Sequence, residues 1–224
     1  MSADPYPFSQ AMSDLRADLR RYRRLSGLPT FVNLWISPGG VASIHYRVAH
    51  WAWAGRSPVR LASRVPLIFF QRLVEVWAGV GISPQAVIGP GLYIGHFGQI
   101  IVHGEARIGS NATLTQEVTL GFTPTGRRKG APTIGDRAYI APGAKLFGAI
   151  TVGDDVTVGA NAVVNRDVED RSVVGGVPAR LISKQGSFDL VYYDGMDGDP
   201  ARSASLALAD RPDSPAGPES SLPR

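Results

Sequence analysis

The chain has 224 residues, a net charge of +4 and no cysteine. The lack of cysteine excludes disulfides, thiolate metal ligands and a cysteine nucleophile. Apolar residues make up 44% of the chain and charged residues 19%, which is ordinary for a globular protein. The most apolar stretch, residues 65–82, contains Gln71, Arg72 and Glu75, so it is too polar to cross a membrane. Residues 1–24 lack the pattern of a secretory signal, and we expect a cytoplasmic protein.

Residues 1–80 are predicted to form a helical region. Apolar residues recur at helical spacing in residues 15–22 and 44–53, and prolines divide the region into three or four helices. The basic run from Arg16 to Arg24 is interpreted as the solvated face of one helix, because no nucleic-acid-binding motif accompanies it. We therefore expect no nucleic-acid partner.

From Ile82 onward the sequence repeats every six residues. An aliphatic residue marks each repeat, glycine often follows it, and a small residue commonly precedes it by two positions. The aliphatic positions are Ile82, Ile88, Ile94 and Ile100, then Val102, Ile108, Leu114 and Leu120, and then Ile134, Ile140, Leu146, Val152, Val158 and Val164. A β-sandwich would instead alternate with a period of two and turn every ~8–12 residues.

Each six-residue unit is interpreted as a short strand and a turn, and three units as one triangular coil of a parallel β-helix. The aliphatic residues fill the interior, and several coils must stack because no coil buries its own faces. We predict a mainly β fold with three parts. These are a helical region over residues 1–80, a β-helix over 81–184, and a largely disordered tail over 185–224, which is rich in Ser, Pro, Asp and Ala.

Two insertions interrupt the repeat. The step from Ile100 to Ile108 is eight residues, and the step from Leu120 to Ile134 is fourteen. The second insertion, residues 122–131, is rich in Gly, Pro, Thr and Arg and is predicted to be a loop that projects from the β-helix. Because insertions in solenoids usually gather on the functional face, this loop is expected to lie near a binding site.

Several motifs in the repeat region resemble one enzyme family. Residues 95–102, Gly-His-Phe-Gly-Gln-Ile-Ile-Val, resemble the active-site segment of the serine acetyltransferases. The similarity continues through residues 116–121, through a loop of family length, and to the closing Gly-Val-Pro-Ala-Arg at 176–180. Residues 46–51 are similar to the family's helix before the β-helix. The chain is also similar to the capsule and exopolysaccharide O-acetyltransferases that are often labelled serine acetyltransferases.

This resemblance implies a left-handed β-helix, a homotrimer, and acetyl-CoA bound in the groove between neighbouring subunits. It also implies transfer of the acetyl group to a hydroxyl group of a small-molecule acceptor, without a metal. Such a transfer needs a base for the hydroxyl proton and donors for the oxyanion, and histidine is the natural base near neutral pH.

Four histidines are candidates for the base. His96 matches the family's catalytic histidine, and it follows interior position Ile94 by two residues, where side chains point outward. His103 is expected to lie inside the shorter insertion, near enough to reach the same groove, although an exposed turn residue is the simpler interpretation. His45 and His50 are expected to pack within the helical region.

The family places an aspartate immediately before its base, and this chain has Gly95 there. Counting repeats places Gln116 one coil above His96, with Glu117 beside it. Either side chain, or a backbone carbonyl, is a candidate to support the imidazole. The resemblance also assigns residues to the acetyl-CoA site. By family position these are Gly121, Ala141, Ala160 and Lys184, with Arg180 as a further candidate for the phosphates.

The family holds serine with a carboxylate from the helical domain, the aspartate before the base, and an Arg-His pair in the loop. By gapless alignment these positions are Arg24, Gly95, Gly130 and Ala131 here. We therefore predict a sugar or glycan precursor as the acceptor, with L-serine as the alternative. In or beside the loop, His103, Arg127 and Arg128 are candidate acceptor ligands.

Three further expectations concern partners and other functions. The family docks on cysteine synthase through a terminal isoleucine, whereas this chain ends in Arg224, so no such complex is expected. A non-catalytic β-helix that serves as an assembly module is disfavoured by His96 in its family context. A γ-carbonic anhydrase needs three metal-binding histidines, and only His96 and His103 lie in the repeat region.

Overall fold

A computed structural model describes residues 6–30, 32–33 and 37–209. Three long helices come first: α1 (Phe8–Ser26), α2 (Pro38–Ala54) and α3 (Pro58–Ala78). Helix α1 ends at Gly27, whose φ of 69° suits glycine and whose N–H donates to the Arg23 carbonyl. Helix α3 begins after Ser57, whose hydroxyl accepts from the Arg60 N–H at 3.4 Å. None of the helices in the described ranges combines the length and the apolar character that a membrane span requires.

Fifteen short strands follow the helices in the described part of the chain. They are β1 (Val80–Ile82), β2 (Val87–Ile88), β3 (Tyr93–Ile94), β4 (Ile100–Val102), β5 (Arg107–Ile108), β6 (Thr113–Leu114), β7 (Thr119–Gly121), β8 (Thr133–Ile134), β9 (Tyr139–Ile140), β10 (Lys145–Phe147), β11 (Thr151–Val152), β12 (Thr157–Val158), β13 (Val163–Val164), β14 (Val173–Gly175) and β15 (Arg180–Ser183). A 3-10 turn (Met196–Gly198) and helix α4 (Pro200–Ala209) come last.

The strands form the three flat faces of a prism. Face A has the order β1-β4-β7-β10-β13, face B the order β11-β8-β5-β2, and face C the order β15-β14-β12-β9-β6-β3. Each strand pairs in parallel with the strand one coil away, except β15, which is antiparallel to β14. The hexapeptide repeat therefore builds a three-sided parallel β-helix, as predicted.

The register of the first insertion differs from the sequence-based prediction. Ile94 pairs with Leu114, and Val102 pairs with Leu120, so eight residues on one coil face six on the next. The two extra residues thus lie between Ile94 and Val102, at the corner that contains His96, and His103 lies outside them. The prediction was wrong because Ile100 and Val102 both point inward, at 0% and 2% exposure, and the spacing from Ile94 to Ile100 matches the repeat by coincidence.

Side chains of α1 and α2 cover the first coil, which has no preceding coil to pair with. The Tyr46 hydroxyl donates to the Ala86 carbonyl and accepts from the Ile88 N–H, at 2.8 and 3.1 Å. Arg47 donates to the carbonyls of Ile88 and Gly89. The helical region thereby satisfies backbone groups that would otherwise be buried without partners.

The segment after the β-helix is folded through Ala209, in contrast to the prediction of a largely disordered tail. Phe188, Val191 and Tyr193 are at most 5% exposed. Ser205 of α4 donates to the Asp155 carboxylate at 2.7 Å. Composition pointed to disorder because the segment is rich in Ser and Asp, but Ser187 and Ser205 are hydrogen-bonded to the β-helix, and Asp194 is 3.7 Å from Arg20 of α1. The predictions for residues 210–224, including the one based on Arg224, lie outside the described residues.

Candidate active site

His96 lies on the enlarged corner between faces C and A, formed by residues 95–99. Strand β3 enters this corner and β4 leaves it. At the exit, the Gly98 N–H donates to the carbonyl of Ala78, the last residue of α3, at 2.8 Å. Gly98 has a φ of 110°, and a Cβ at Gly79 would lie 2.8 Å from its Cα, so the turn and the close approach both require glycine.

The entrance of the corner is held by α1 and α2. The Tyr22 hydroxyl accepts from the Ile94 N–H at 3.0 Å and donates to the Ile94 carbonyl at 3.3 Å. Gly39 of α2 packs on the same residue, because a Cβ there would lie 2.5 Å from the Ile94 carbonyl oxygen. The ends of all three long helices therefore converge on the turn that presents His96.

Two adjoining cavities of about 250 and 390 Å³ meet at His96 and share Tyr93 and Gly95. The smaller one is bounded by the ends of α1 and α2, and the larger one by face C and the C-terminal segment. Their remaining lining residues are Tyr22, Ser26, Asn33, Ser37, Pro38, Gly39 and Phe97 in the first, and Leu25, Thr113, Thr115, Gln116, Tyr139, Pro142 and Leu190 in the second. Among the described residues that line either cavity, His96 has the only imidazole, and none of the others is acidic or basic.

The structure brings Gln116 beside His96 but does not join them by a hydrogen bond. Gln116 lines the larger cavity, and its Oε1 is buried without a hydrogen-bond partner among the described residues. The Glu117 side chain is exposed, and its backbone carbonyl accepts from Lys145 Nζ. Of the two residues predicted to support the base, Gln116 is placed to contact a ligand bound at His96.

A ridge of small residues leads away from His96 along the corner between faces C and A. The pairing of β3, β6, β9, β12 and β14 puts His96, Gln116, Pro142, Ala160 and Gly176 at equivalent positions. Ala141 lies beside this column and is 7% exposed. At about 4.8 Å per coil, the ridge is about 19 Å long. Because the side chains of the ridge are small, there is room beside them for a long, thin ligand, which fits the predicted use of Ala141 and Ala160 for acetyl-CoA.

The other predicted acetyl-CoA residues lie elsewhere in the single chain. Gly121 is on the corner between faces A and B, where a side chain would collide with the Phe147 ring. Arg180 and Lys184 line a cavity of about 280 Å³ at the open C-terminal end of the prism. Lys184 Nζ is 2.7 Å from Glu169 Oε2, an ion pair that occupies its charge.

The predicted acceptor ligands lie across face A from His96. His103 follows β4 on the corner between faces A and B, and its ring stacks on Phe122 at 4.9 Å. Arg128 Nη1 is 3.1 Å from Asp167, and Arg127 is exposed in the loop. One subunit therefore does not bring His103, Arg127 or Arg128 to His96.

The remaining histidines pack in the helical region, in line with the sequence interpretation. His45 Nε2 is 2.6 Å from Gln71 Oε1, and His50 Nδ1 is 2.8 Å from the Pro84 carbonyl. Burial lowers the pKa of both rings and so favours their neutral forms. Within the described ranges, no group of three or more His, Asp or Glu side chains could hold a metal ion.

Sequence reasoning missed the walls of the cavities. Tyr22 and Leu25 come from α1 and Leu190 comes from the C-terminal segment, both far from His96 in sequence. Tyr93 and Tyr139 occupy outward positions on face C, two coils apart. Their spacing relative to the aliphatic positions could have identified them, because the residue before each interior position faces outward.

Comparisons with known proteins identify the family. No protein-family model matches the sequence. The chain is 36% identical over 185 residues to the serine acetyltransferase of Mycobacterium tuberculosis, covering 80% of this chain and 78% of that one. It is 37% identical over 177 residues to the serine acetyltransferase of Helicobacter pylori strain J99, covering 77% of this chain and 99% of that one.

Solved structures share the fold. The soybean serine acetyltransferase apoenzyme superposes with a TM-score of 0.67 at 34% identity, covering 81% of this chain and 71% of that one. A further structure of the soybean enzyme contains serine, with 33% identity and the same TM-score and coverage. A serine acetyltransferase in complex with CoA superposes with a TM-score of 0.67 at 28% identity, covering 78% of this chain and 70% of that one. The β-helix is therefore left-handed, and the chain belongs to the serine acetyltransferase family of acetyl-CoA-dependent O-acetyltransferases.

Proposed function

We propose that the protein transfers the acetyl group of acetyl-CoA to an acceptor hydroxyl, with His96 as the general base. The observation that carries the proposal is the placement of His96 on the enlarged corner, where two cavities and the low ridge meet. A CoA-release assay with acetyl-CoA and a panel of serine, homoserine and nucleotide- or lipid-linked sugars tests it. Release that depends on an acceptor supports the proposal, and no release with any acceptor contradicts it.

In this mechanism His96 accepts the proton of the acceptor hydroxyl while the hydroxyl oxygen attacks the thioester carbonyl carbon. The imidazolium then returns that proton to the departing thiolate, so the base is regenerated in each turnover. Gln116 lines the same cavity and can contact the reacting groups from there, whereas its Oε1 is buried without a hydrogen-bond partner among the described residues. The small residues of the ridge leave the space in which a pantetheine arm would lie.

The comparisons favour L-serine as the acceptor over the sugar that we predicted from the sequence. The relatives and solved structures described above are serine acetyltransferases, and one of the structures contains serine. If serine is used, its ammonium and carboxylate must be paired by groups outside the two cavities. We propose that Arg127 and Arg128, in the loop of a neighbouring subunit, pair with the carboxylate of serine.

A sugar or glycan precursor is the second candidate, because of the lining of the cavities. Within the part of the chain that the structure describes, none of the side chains lining either cavity is a carboxylate or a guanidinium. Tyr93 and Tyr139 instead offer aromatic rings and hydroxyl groups. Such a lining suits a neutral polyol better than an amino acid, whose two charges each need a partner.

The variant Gly95→Asp distinguishes the two acceptors. A Cβ at Gly95 would meet Tyr93 Cε1 at 3.4 Å and Thr115 Cγ2 at 3.8 Å, so a side chain fits there. A charge-assisted hydrogen bond contributes about 1.5–3 kcal/mol, so we expect kcat/KM for L-serine to rise about 10- to 100-fold. No comparable gain is expected for a neutral sugar, and Gly95→Asn is the uncharged control. An unchanged kcat/KM for serine would show that another group already pairs its ammonium.

We also propose that the active unit is a homotrimer in which face A lies against the neighbouring copies. Face A separates His96 from the loop, so a neighbour's loop is needed to complete one site. Helix α3 leads directly into β1 of face A and presents a broad apolar surface. Its exposed apolar side chains are Val59, Leu61, Val65, Ile68, Phe69, Phe70, Leu73, Val76 and Trp77, at 43–87% exposure. At 100° per residue they span about 200° of the helix, more than the single face that packs in an ordinary surface helix.

Light scattering at micromolar concentration should give about three times the chain mass of 23.9 kDa. Phe69→Asp puts a charge on the α3 surface at a residue that is 76% exposed in one chain, and we expect it to dissociate the trimer and reduce turnover. Val87→Asp on face B, at 44% exposure, is the matched control and should leave the mass unchanged. A wild-type protein that remains monomeric would contradict this assembly.

A further inference from the structure

We infer that the Tyr22 hydroxyl is a positioning group for His96, through which helix α1 sets the geometry of the base. The inference rests on the proposed role of His96. Tyr22 lines the smaller cavity, but its hydroxyl is hydrogen-bonded to the backbone of Ile94. Ile94 is the last residue of the strand that leads into the enlarged corner.

In the described ranges, the backbone of Ile94 has no strand to pair with on the side where Tyr22 lies, because β3 is at the edge of face C. The N–H groups of Tyr93 and Gly95 donate to the next coil, at Ala112 and Leu114, so the N–H and carbonyl of Ile94 point away from that coil. Tyr22 satisfies both groups with one hydroxyl, at 3.0 and 3.3 Å. A single side chain thus replaces the missing strand at this point.

Tyr22 itself is firmly held. Its side chain is 3% exposed, and its ring lies 4.8 Å from the Tyr93 ring. Burial raises the pKa of its phenol, so the hydroxyl keeps its proton and both hydrogen bonds across the working pH range. The preceding residue of the helix, Arg21, donates hydrogen bonds to the carbonyls of Gly91 and Ala112, at 2.6 and 2.9 Å.

The position of His96 depends on the hydrogen bonds between Tyr22 and Ile94, because few other contacts hold the corner. His96 is exposed, and the corner that contains it is two residues longer than its neighbour on the next coil. A longer turn has more conformations available, so its position is set by its fixed ends. Misplacement of a catalytic group by about 1 Å can reduce turnover about 100-fold.

Tyr46 supplies a matched control. Its hydroxyl also bridges a backbone carbonyl and a backbone N–H of the first coil, at Ala86 and Ile88, and its side chain is 1% exposed. These bonds lie at the start of face B, eight and six residues before Ile94. Removing either hydroxyl therefore has the same chemical cost, but only one of them supports the His96 corner.

Tyr22→Phe is expected to lower kcat about tenfold, with KM for acetyl-CoA unchanged. Tyr46→Phe should lower the melting temperature by a similar amount and leave kcat at the wild-type value. Equal kcat values in the two variants would overturn the inference. If Tyr22→Phe does not fold, Gly39→Ala is the second variant, because its added methyl group pushes on the same Ile94 carbonyl. Gly39→Ala should then lower kcat. A wild-type kcat in Gly39→Ala would count against the inference.

A double variant tests whether Tyr22 acts through His96. In the His96→Ala background, adding Tyr22→Phe should change the residual kcat by less than twofold, because the group that it positions is gone. A further tenfold loss would mean that Tyr22 acts independently, and the inference would be wrong while the proposed function stands.

The NMR signals of the His96 ring supply a readout that needs no turnover. They should shift or broaden in Tyr22→Phe and not in Tyr46→Phe. Identical spectra in the two variants would overturn the inference, whether or not an acceptor is found. Failure to find any acceptor would instead contradict the proposed function.

Discussion

Replacing His96 with alanine is expected to lower kcat by about 10²–10⁴-fold, the usual contribution of a general base. Among the described residues that line the two cavities, His96 has the only imidazole, and none of the others has a carboxylate or an amine, so no other of these side chains can take over its role as a base. The measurement is steady-state CoA release with the best acceptor of the panel. The binding of acetyl-CoA should change little, because the proposed ridge lies beside His96 and extends away from it.

A thermal-shift titration with acetyl-CoA is the control for this variant. A ligand that binds the folded state raises the melting temperature, so His96→Ala should retain the wild-type shift. Turnover near the wild-type rate would show that His96 is not the base. His103 would then be the next candidate, and it could act only from a neighbouring subunit, because it lies across face A within its own chain.

The repeat could be read from the sequence because the β-helix interior is a column of equivalent positions. Each interior residue meets the same environment one coil away, as Ile140 does between Leu114 and Val158, so the same residue type recurs. The position of His96 just outside this column followed from the same spacing. Both inferences needed only the six-residue spacing in the sequence, and the structure confirms the β-helix.

The position of the first insertion could not be read in the same way. Strand β4 has two inward side chains, Ile100 and Val102, and either one continues a period of six. Only the pairing with the next coil shows that Val102 aligns with Leu120. Hydrogen bonding between coils therefore decides where the extra residues lie, and that information is not periodic in the sequence.

The contacts of the helical region were also beyond sequence reasoning. Tyr22 and Leu190 reach the His96 cavities from segments about 70 residues before it and about 90 after it in the chain, and neither segment carries a repeat. The basic run was only partly a solvated face, because Arg21 is 2% exposed and bonds to the first coil. Long-range contacts of polar side chains leave no periodic pattern in the sequence. The composition of the basic run therefore led us to predict exposure for a side chain that is buried.

The cap that the helices form on the β-helix should carry much of the protein's stability, and Asp18 joins α1 both to α2 and to the first coil. Its carboxylate accepts from the N–H groups of Gly91 and Leu92, both at 2.8 Å, and pairs with Arg47 at 2.8 and 2.9 Å. The side chains of Asp18 and Arg47 are both 0% exposed. Removing one member of a buried pair costs about 3–5 kcal/mol. Without Asp18, the ion pair that Arg47 keeps among the described residues is the longer one with Asp14, at 3.7 Å.

Asp18→Ala should therefore lower the free energy of unfolding by about 3–5 kcal/mol, measured by urea denaturation at neutral pH. Asp167→Ala is the control at the surface, because it removes an ion pair with Arg128, whose side chains are 64% and 41% exposed, and an exposed hydrogen bond from the Thr151 N–H at 2.9 Å. An exposed pair contributes at most about 1 kcal/mol, so this variant should remain close to the wild type. Equal losses in the two variants would mean that the helical region does not stabilise the first coil. A large loss in Asp18→Ala alone would show that α1, α2 and the β-helix unfold as one unit, since the removed contacts join all three.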